Sequence, residues 1–443
     1  MEKHLLKELI TQHKLRFLAR TGLVPRENQE VVKRFLHQRE IVFITGVRRC
    51  GKSSLMRLVC DDLLKGDGVS LANILYVNFE DERLAGFKTE DCERLMEAFY
   101  ELEAPQGKIW LFLDEIQNVP AWEKWLNRLY EFEDTKIFVT GSNMTLLGSD
   151  LSTALTGRNR QLVLWPFSFR EFLVMKGSMP TEVLQNREGR ANAARMFDEY
   201  LAIGGFPEAV RQGDSGLLEQ YWQDILYRDI FPRYGIRNIR EIRELTLFLA
   251  SNCASIHSYK SLLGVMGGKS QMTVRSYLQA LHDVFLFFPV DLFDFSLKRQ
   301  IYNPSKIYGI DTGLLNAVSF SFSRNIGHSM ENAAYIELCR RGGEIYYWKS
   351  VKGSEVDFVV RGKGVITTAI QVCFSLADNK TRQRELTGLI AAARELKAER
   401  LLLLSGEVEE IVREEGCEIR VLPMWKWLLE EQCIGGCPAD NGG

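Results

Sequence analysis

The sequence predicts an α/β chain: a parallel β-sheet covered by helices on both faces, then a helical lid, a small helix-and-strand module and a second α/β region. Three observations predict it. Ile41-Val-Phe-Ile, apolar and β-branched, runs into Gly46-x-x-x-x-Gly51-Lys52-Ser53 and then into the helical pattern Ser54-Leu-Met-Arg-Leu-Val-Cys, the strand–loop–helix setting of a phosphate-binding loop. Strand-like runs then alternate with helical periodicity to residue 165, the mark of a parallel sheet whose strands are buried on both faces. After a mainly helical stretch, a second alternation begins at Asp311.

Composition bounds the rest. At 443 residues the chain calls for two or three domains. Its hydrophobic share of 46% and charged share of 26% are those of a globular protein, and a net charge of −2 gives no global attraction to nucleic acid. Nine cysteines form no C-x-x-C pair, so free thiols in a reducing cytoplasm are expected. The N-terminus lacks a signal peptide's apolar core. The longest apolar run, Val284–Val290, is far short of the roughly 20 residues of a membrane span, so no membrane partner is expected.

Residues 2–20 read as an amphipathic helix through Leu5, Leu6, Leu9, Ile10, Leu15, Phe17 and Leu18. Pro25 restarts a helix carrying Val31, Val32, Phe35 and Leu36. Strands follow at Asn73–Glu80, Lys108–Glu115, Thr135–Asn143 and Gln161–Trp165, with helices at Thr89–Leu102, Ala121–Phe132 and Ser149–Thr156 between them. Ligands of such sheets bind at the carboxyl ends of the strands, where the loop lies.

The loop's chemistry is specific. Backbone N–H groups over Gly46, Val47, Arg48, Arg49, Cys50 and Gly51, continued through Lys52, Ser53 and Ser54, would surround phosphate oxygens. Lys52 would reach the β and γ phosphates of a nucleotide, and the Ser53 hydroxyl would ligate Mg²⁺. The third strand ends in Asp114-Glu115. Asp114 would hold Mg²⁺ through water, and Glu115 would act as general base toward an attacking water. An acidic strand end is common by itself; paired with the loop, it points to hydrolysis of ATP.

Gly46–Ser53, Leu113-Asp114-Glu115-Ile-Gln117, Val139-Thr-Gly141-Ser142-Asn143 and Thr156-Gly157-Arg158 together resemble an AAA+ ATPase. More narrowly, the chain is similar to the prokaryotic AAA+ proteins with an uncharacterised C-terminal region. The resemblance implies a γ-phosphate sensor at Ser142 or Asn143. It also implies an arginine finger at Arg158, acting across a subunit boundary and so requiring a homo-oligomer. A surface arginine or an internal ion pair would equally account for Arg158. Gly204-Gly205-Phe206-Pro207 is similar to the Gly-x-Pro element that signalling-type (STAND) relatives place near the adenine, which makes Pro207 a nucleotide-binding candidate; a plain helix–helix turn would use the same residues.

Helical segments at Glu241–Asn252, Ser258–Val265 and Ser270–Asp283, with a strand pair at Val284–Val290 and Lys306–Ile310, have the layout of a winged helix-turn-helix. Thr273, Arg275, Ser276 and Gln279 would face a DNA groove, although Lys269 and Arg275 are the only cations there and such modules also bind proteins. The last region, with a helix from Glu331 and strands Ile345–Ser350, Gly353–Val360, Ala369–Phe374 and Arg400–Leu404, resembles the restriction-endonuclease-like fold. Glu331 and Asp357 match that fold's helical Glu and first Asp. Gln371-Val372-Cys373 stands where Glu-x-Lys would be, removing one anionic ligand and the cation, which counts against nuclease activity.

The expected divisions are residues 1–165 for an AAA+ core, 166–235 for a helical lid, 236–305 for the winged helix, 306–430 for the nuclease-like domain and 431–443 for a disordered tail. The expected function is an ATP-binding and ATP-hydrolysing switch or motor whose C-terminal half engages DNA or a protein. The alternatives are an ATP-dependent nuclease or DNA-processing enzyme, and a regulator that retains nucleotide with little turnover.

Overall fold

The computed structural model describes residues 1–144, 155, 157–184, 187–236, 238–267, 270–320, 325–351 and 353–430. Most of the helix expected over Ser149–Thr156, together with Lys269 and the tail from 431, lies outside them. The chain divides into two compact units: Met1–Trp165 with Asp283–Phe285, and Pro166–His282 with Leu286–Gly443.

The first unit holds five parallel strands, β1 (Ile41–Thr45), β2 (Ile74–Asn78), β3 (Ile109–Asp114), β4 (Thr135–Gly141) and β5 (Asn159–Val163), in the order β2-β3-β4-β1-β5. Because β1 lies between β4 and β5, the strand order reverses beside it, and its carboxyl end opens at that switch point. The helices are α1 (Lys3–Leu18), α2 (Glu27–Arg34), α3 (Lys52–Lys65), α4 (Asp91–Glu103) and α5 (Trp122–Phe132). Strands β1, β3 and β4 are buried along their whole length, as apolar runs without alternation require. One face of the sheet buries Phe43, Val77, Leu111, Leu113 and Val139 with Leu95, Phe99, Trp125 and Leu129 of α4 and α5; each such side chain contributes about 1.5–3 kcal/mol. Strand β5 starts two residues before the expected Gln161, because its register on β1 sets Asn159 against Ile41 and Val163 against Thr45.

The second unit contains two sheets. The smaller is antiparallel, ordered β6-β8-β7 from β6 (Ser255–His257), β7 (Phe287–Val290) and β8 (Ser305–Gly309). It lies in sequence among the helices Ile239–Ser251, Tyr259–Met266 and Gln271–Asp283. The sequence pattern missed β6, which has only three residues. The expected strand from Val284 starts at Phe287, since Phe285 takes a left-handed φ of 62°. A helix, Leu297–Tyr302, joins β7 to β8, and the division expected after residue 305 falls inside β8.

The larger sheet is mixed, ordered β13-β14-β12-β11-β10-β9, from β9 (Glu344–Lys349), β10 (Glu355–Gly362), β11 (Val365–Cys373), β12 (Arg400–Ser405), β13 (Glu410–Glu414) and β14 (Cys417–Pro423). Strands β13 and β14 extend the sheet past the strand expected to complete it; β13 alternates between partly buried and exposed residues and lacks a continuous apolar run. The helix Asn379–Leu396 buries Leu386, Leu389 and Ile390 in a core shared with Val356, Val359 and Leu403. Among the described residues, no helix is long and apolar enough to cross a membrane.

Candidate functional site

The loop between β1 and α3 has the backbone a phosphate cradle needs. Gly46 sits at φ 148°, and a Cβ there would lie 2.1 Å from the Leu164 carbonyl oxygen, so only glycine fits. Gly51 at φ 104° caps α3 and turns its first N–H groups toward the loop. Arg26 braces the loop from outside, donating to the carbonyls of Cys50 at 3.0 Å and Trp165 at 2.7 Å. Arg48 pairs with Glu80 at 2.5 Å, Arg49 takes a left-handed φ of 70°, and burial pushes the Cys50 thiol up. Ser53 and Ser54 are partly buried in the first turn of α3.

Lys52 is buried, and its Nζ donates to the carbonyls of Gly46 at 3.0 Å and Val47 at 3.2 Å. Nζ also lies 3.5 Å from Glu115 Oε1. Burial pulls its pKa down, but the charges of Glu115, Cys50 and Asp114 carry it above the ordinary lysine value.

Asp114 is fully enclosed at the end of β3. Its Oδ1 accepts from the Thr140 hydroxyl and its Oδ2 from the Tyr76 hydroxyl at 2.8 Å. Tyr76 is itself stacked on Phe17 of α1, ring centroids 4.0 Å apart. The Glu115 N–H donates to Thr140 Oγ1 at 3.0 Å, holding Glu115 at a left-handed φ of 54°. Gln117 donates from Nε2 to Glu115 Oε2 at 2.5 Å. Thr140 thus orients both acidic residues, because the β3–β4 register pairs Leu113 with Val139 and brings Asp114 beside Thr140. Ser142 and Asn143, the two sensor candidates, are buried just beyond β4. The sequence reading named no role for Thr140, Tyr76 or Gln117.

The donor set fits Mg²⁺. Each Asp114 oxygen spends one lone pair on a hydroxyl and keeps one. Ser53 adds a hydroxyl at the start of α3, and Mg²⁺ takes one or two protein oxygens with phosphate and water for the rest.

Arg158 pairs with Glu131 of α5 at 2.7 Å, donates to Asn127 and lies 5.4 Å over the Tyr130 ring, so it forms the internal ion pair weighed from sequence. Pro207 opens the helix Pro207–Gln212 in the second unit. The glycines before it have a local cause. A Cβ on Gly204 would meet Asp311 Oδ1 at 2.0 Å, one on Gly205 would meet the Phe167 oxygen at 2.3 Å, and the Gly205 N–H donates to Asp311 Oδ2 at 2.6 Å. Burial pushes the Asp311 carboxyl up to about 6, against the pull of those N–H groups.

Glu331, Asp357 and Gln371 do converge, and around a cation that the sequence reading had taken as lost. Lys306 of β8 is buried, with Nζ 2.8 Å from Asp357, 3.1 Å from Glu331 and 3.0 Å from Glu355. Tyr308 donates to Glu331 at 2.7 Å, Gln371 accepts from the Asp357 N–H at 3.1 Å, and Asp357 accepts from the Val372 N–H at 3.0 Å. Burial and the neighbouring Asp357 push the Glu331 carboxyl above its ordinary value, against the pull of Lys306. Among the described residues, no group of three or more His, Cys, Asp and Glu side chains is arranged to hold a metal ion. Lys306 was invisible to the motif because it comes from a strand upstream of Glu331.

Comparison with known proteins matches residues 38–173 to the AAA domain family. Residues 194–325 and 326–427 match two domains of unknown function, DUF8612 and DUF4143. The chain is 33% identical over 407 residues to the uncharacterized protein MJ1544 of Methanocaldococcus jannaschii, covering 88% of each. It is 30% identical over 419 residues to an uncharacterized protein of Haemophilus influenzae, covering 92% of this chain and 99% of the relative. Among solved structures, the Orc1 protein of Aeropyrum pernix in complex with DNA aligns at 13% identity over 69% of this chain and 96% of its own, with a TM-score of 0.33. On the extent of the first two likenesses, the chain belongs to the family of MJ1544, and its residues 38–173 are an AAA domain.

Proposed function

We propose that the AAA domain binds ATP with Mg²⁺ and hydrolyses it, and that this cycle switches a second unit that engages a partner. The observation that carries the reading is the arrangement of Lys52, Asp114 and Glu115 around one strand end, with Thr140 fixing both carboxyl-bearing residues. In this reading the loop N–H groups and the α3 N-terminus hold the β and γ phosphates. Lys52 leaves its own loop's carbonyls for the phosphate oxygens. Ser53 and Asp114 would hold Mg²⁺, which supplies charge neutralisation on the phosphates. Glu115 accepts the proton of the attacking water. Ser142 or Asn143 senses the γ phosphate, and Arg158 braces its own core through Glu131.

We read the helices and small sheet of residues 236–309 as a winged helix. Its helix Gln271–Asp283 exposes Gln271, Met272, Arg275, Ser276 and Gln279, a face without carboxylates that suits DNA. The six-stranded region is then a restriction-endonuclease-like scaffold, its carboxylates occupied by Lys306. ATP turnover by the full chain, alone and with duplex or single-stranded DNA, tests the reading against Glu115→Gln. Turnover that vanishes in the variant supports hydrolysis, and stimulation by DNA identifies the partner. Unchanged turnover in Glu115→Gln defeats the assignment of the base.

A further inference from the structure

Gln117 lies in the single turn Ile116–Asn118 that follows the acidic pair. Its amide is half used. Nε2 donates to Glu115 Oε2 at 2.5 Å, while Oε1 is buried and, among the described residues, accepts no hydrogen bond. Turning the amide over would set Oε1 against a carboxylate oxygen, so Glu115 dictates the orientation. Buried acceptors are seldom left open, because the lost hydration destabilises the fold.

We propose that Gln117 is a second catalytic residue of the hydrolytic site, its Oε1 accepting one hydrogen of the attacking water while Glu115 accepts the other. The proposal rests on the ATP-hydrolysis reading above. Because Gln117 holds Oε2, the Glu115 carboxylate keeps Oε1 toward Lys52, and a carboxylate oxygen has lone pairs for a further donor. A single acceptor leaves water free to rotate about one hydrogen bond. Two acceptors fix the direction of its lone pair, which is the positioning that in-line attack on phosphorus demands. The oxygen–phosphorus bond forms as the bridging β–γ bond breaks, and its electron pair leaves on ADP. One water proton passes to Glu115 Oε1, and the proton held by Gln117 stays on the inorganic phosphate.

The test uses the full chain with Gln117→Leu, Gln117→Asn, Gln117→Glu and Glu115→Gln, measuring kcat, KM, the dissociation constant of a fluorescent ATP analogue, and the pH dependence of kcat. Gln117→Leu removes the orphan acceptor together with the donor to Glu115 Oε2, so the two effects on stability oppose each other and the fold should persist by circular dichroism. Its kcat should fall about 10–100-fold, with analogue affinity kept within about twofold of wild type. Gln117→Asn, one methylene short of the water, should fall similarly and answers the question if the leucine variant does not fold. Gln117→Glu sets a second carboxylate beside the base and should move the acidic limb of the profile upward by about one unit. A kcat within twofold of wild type in the leucine and asparagine variants, with the limb unmoved and Glu115→Gln dead, overturns the role of Gln117 and leaves the hydrolytic reading standing. Wild-type turnover in Glu115→Gln removes both.

Discussion

Lys52 and Lys306 are lysines buried to nearly the same degree, 5% and 3% exposed, in different units of the chain. Lys52 rests on two carbonyls of its own loop and is 3.5 Å from one carboxylate. Lys306 is held by three carboxylates within 3.1 Å, whose charges lift its pKa strongly against the pull of burial. Carbonyl partners and a long ion pair can be exchanged for phosphate oxygens at little cost. A close cluster of three carboxylates cannot be opened without stranding charge in a dry interior. The same side chain is therefore ready for a ligand in one unit and a structural cation in the other.

Four measurements would break or sharpen that contrast. Lys52→Ala should lower ATP turnover by about 10²-fold or more while the fold persists by circular dichroism; turnover at the wild-type level would dissolve the contrast. Lys306→Met should destabilise the second unit by about 3–5 kcal/mol in denaturant unfolding, far more than Lys52→Ala affects the first. Equal losses would mean that both lysines are structural.

A third buried lysine extends the series. Lys136, with 0% exposure, donates to the carbonyls of Gln38 and Glu40, and burial lowers it to about 7. Its folded value lies below the ordinary 10.5 of an unfolded chain. Its contribution to stability is therefore complete above 10.5, shrinks as the pH falls, and is lost as the pH passes about 7. Thermal unfolding of the first unit should move upward between pH 7 and 9, by less in Lys136→Met; parallel profiles would refute it. The smallest effect belongs to Arg158, which is half-exposed: Arg158→Ala should cost no more than about 1 kcal/mol, and turnover should follow stability. A collapse of turnover in a stably folded variant would instead support the finger across a subunit boundary.

The loop and the acidic pair were legible because their chemistry is local: Gly46 to Ser53 and Asp114-Glu115 are contiguous in the sequence. The strands of the parallel sheet and α3 were legible for the same reason, since apolar runs and periodicity are local; the order β2-β3-β4-β1-β5 was not. Thr140 was not, because its role depends on a register between β3 and β4 that no single segment states. Gln117 stood in the quoted motif, but only its half-satisfied amide gives it a role. Lys306 was missed because pairing in space, and not spacing in sequence, sets it among Glu331, Glu355 and Asp357. The packing of the Gly-Gly corner on Asp311 and Phe167 was likewise not legible, because those partners are distant in sequence.

Strand β8 is the middle strand of the small sheet, with β6 on one side and β7 on the other, and it also supplies Lys306 and Tyr308 to the cluster on Glu331. One five-residue segment is thus a structural part of both regions. A protease cut or a gene fusion joint beside residue 305 would take the centre from one region or the counter-ion from the other.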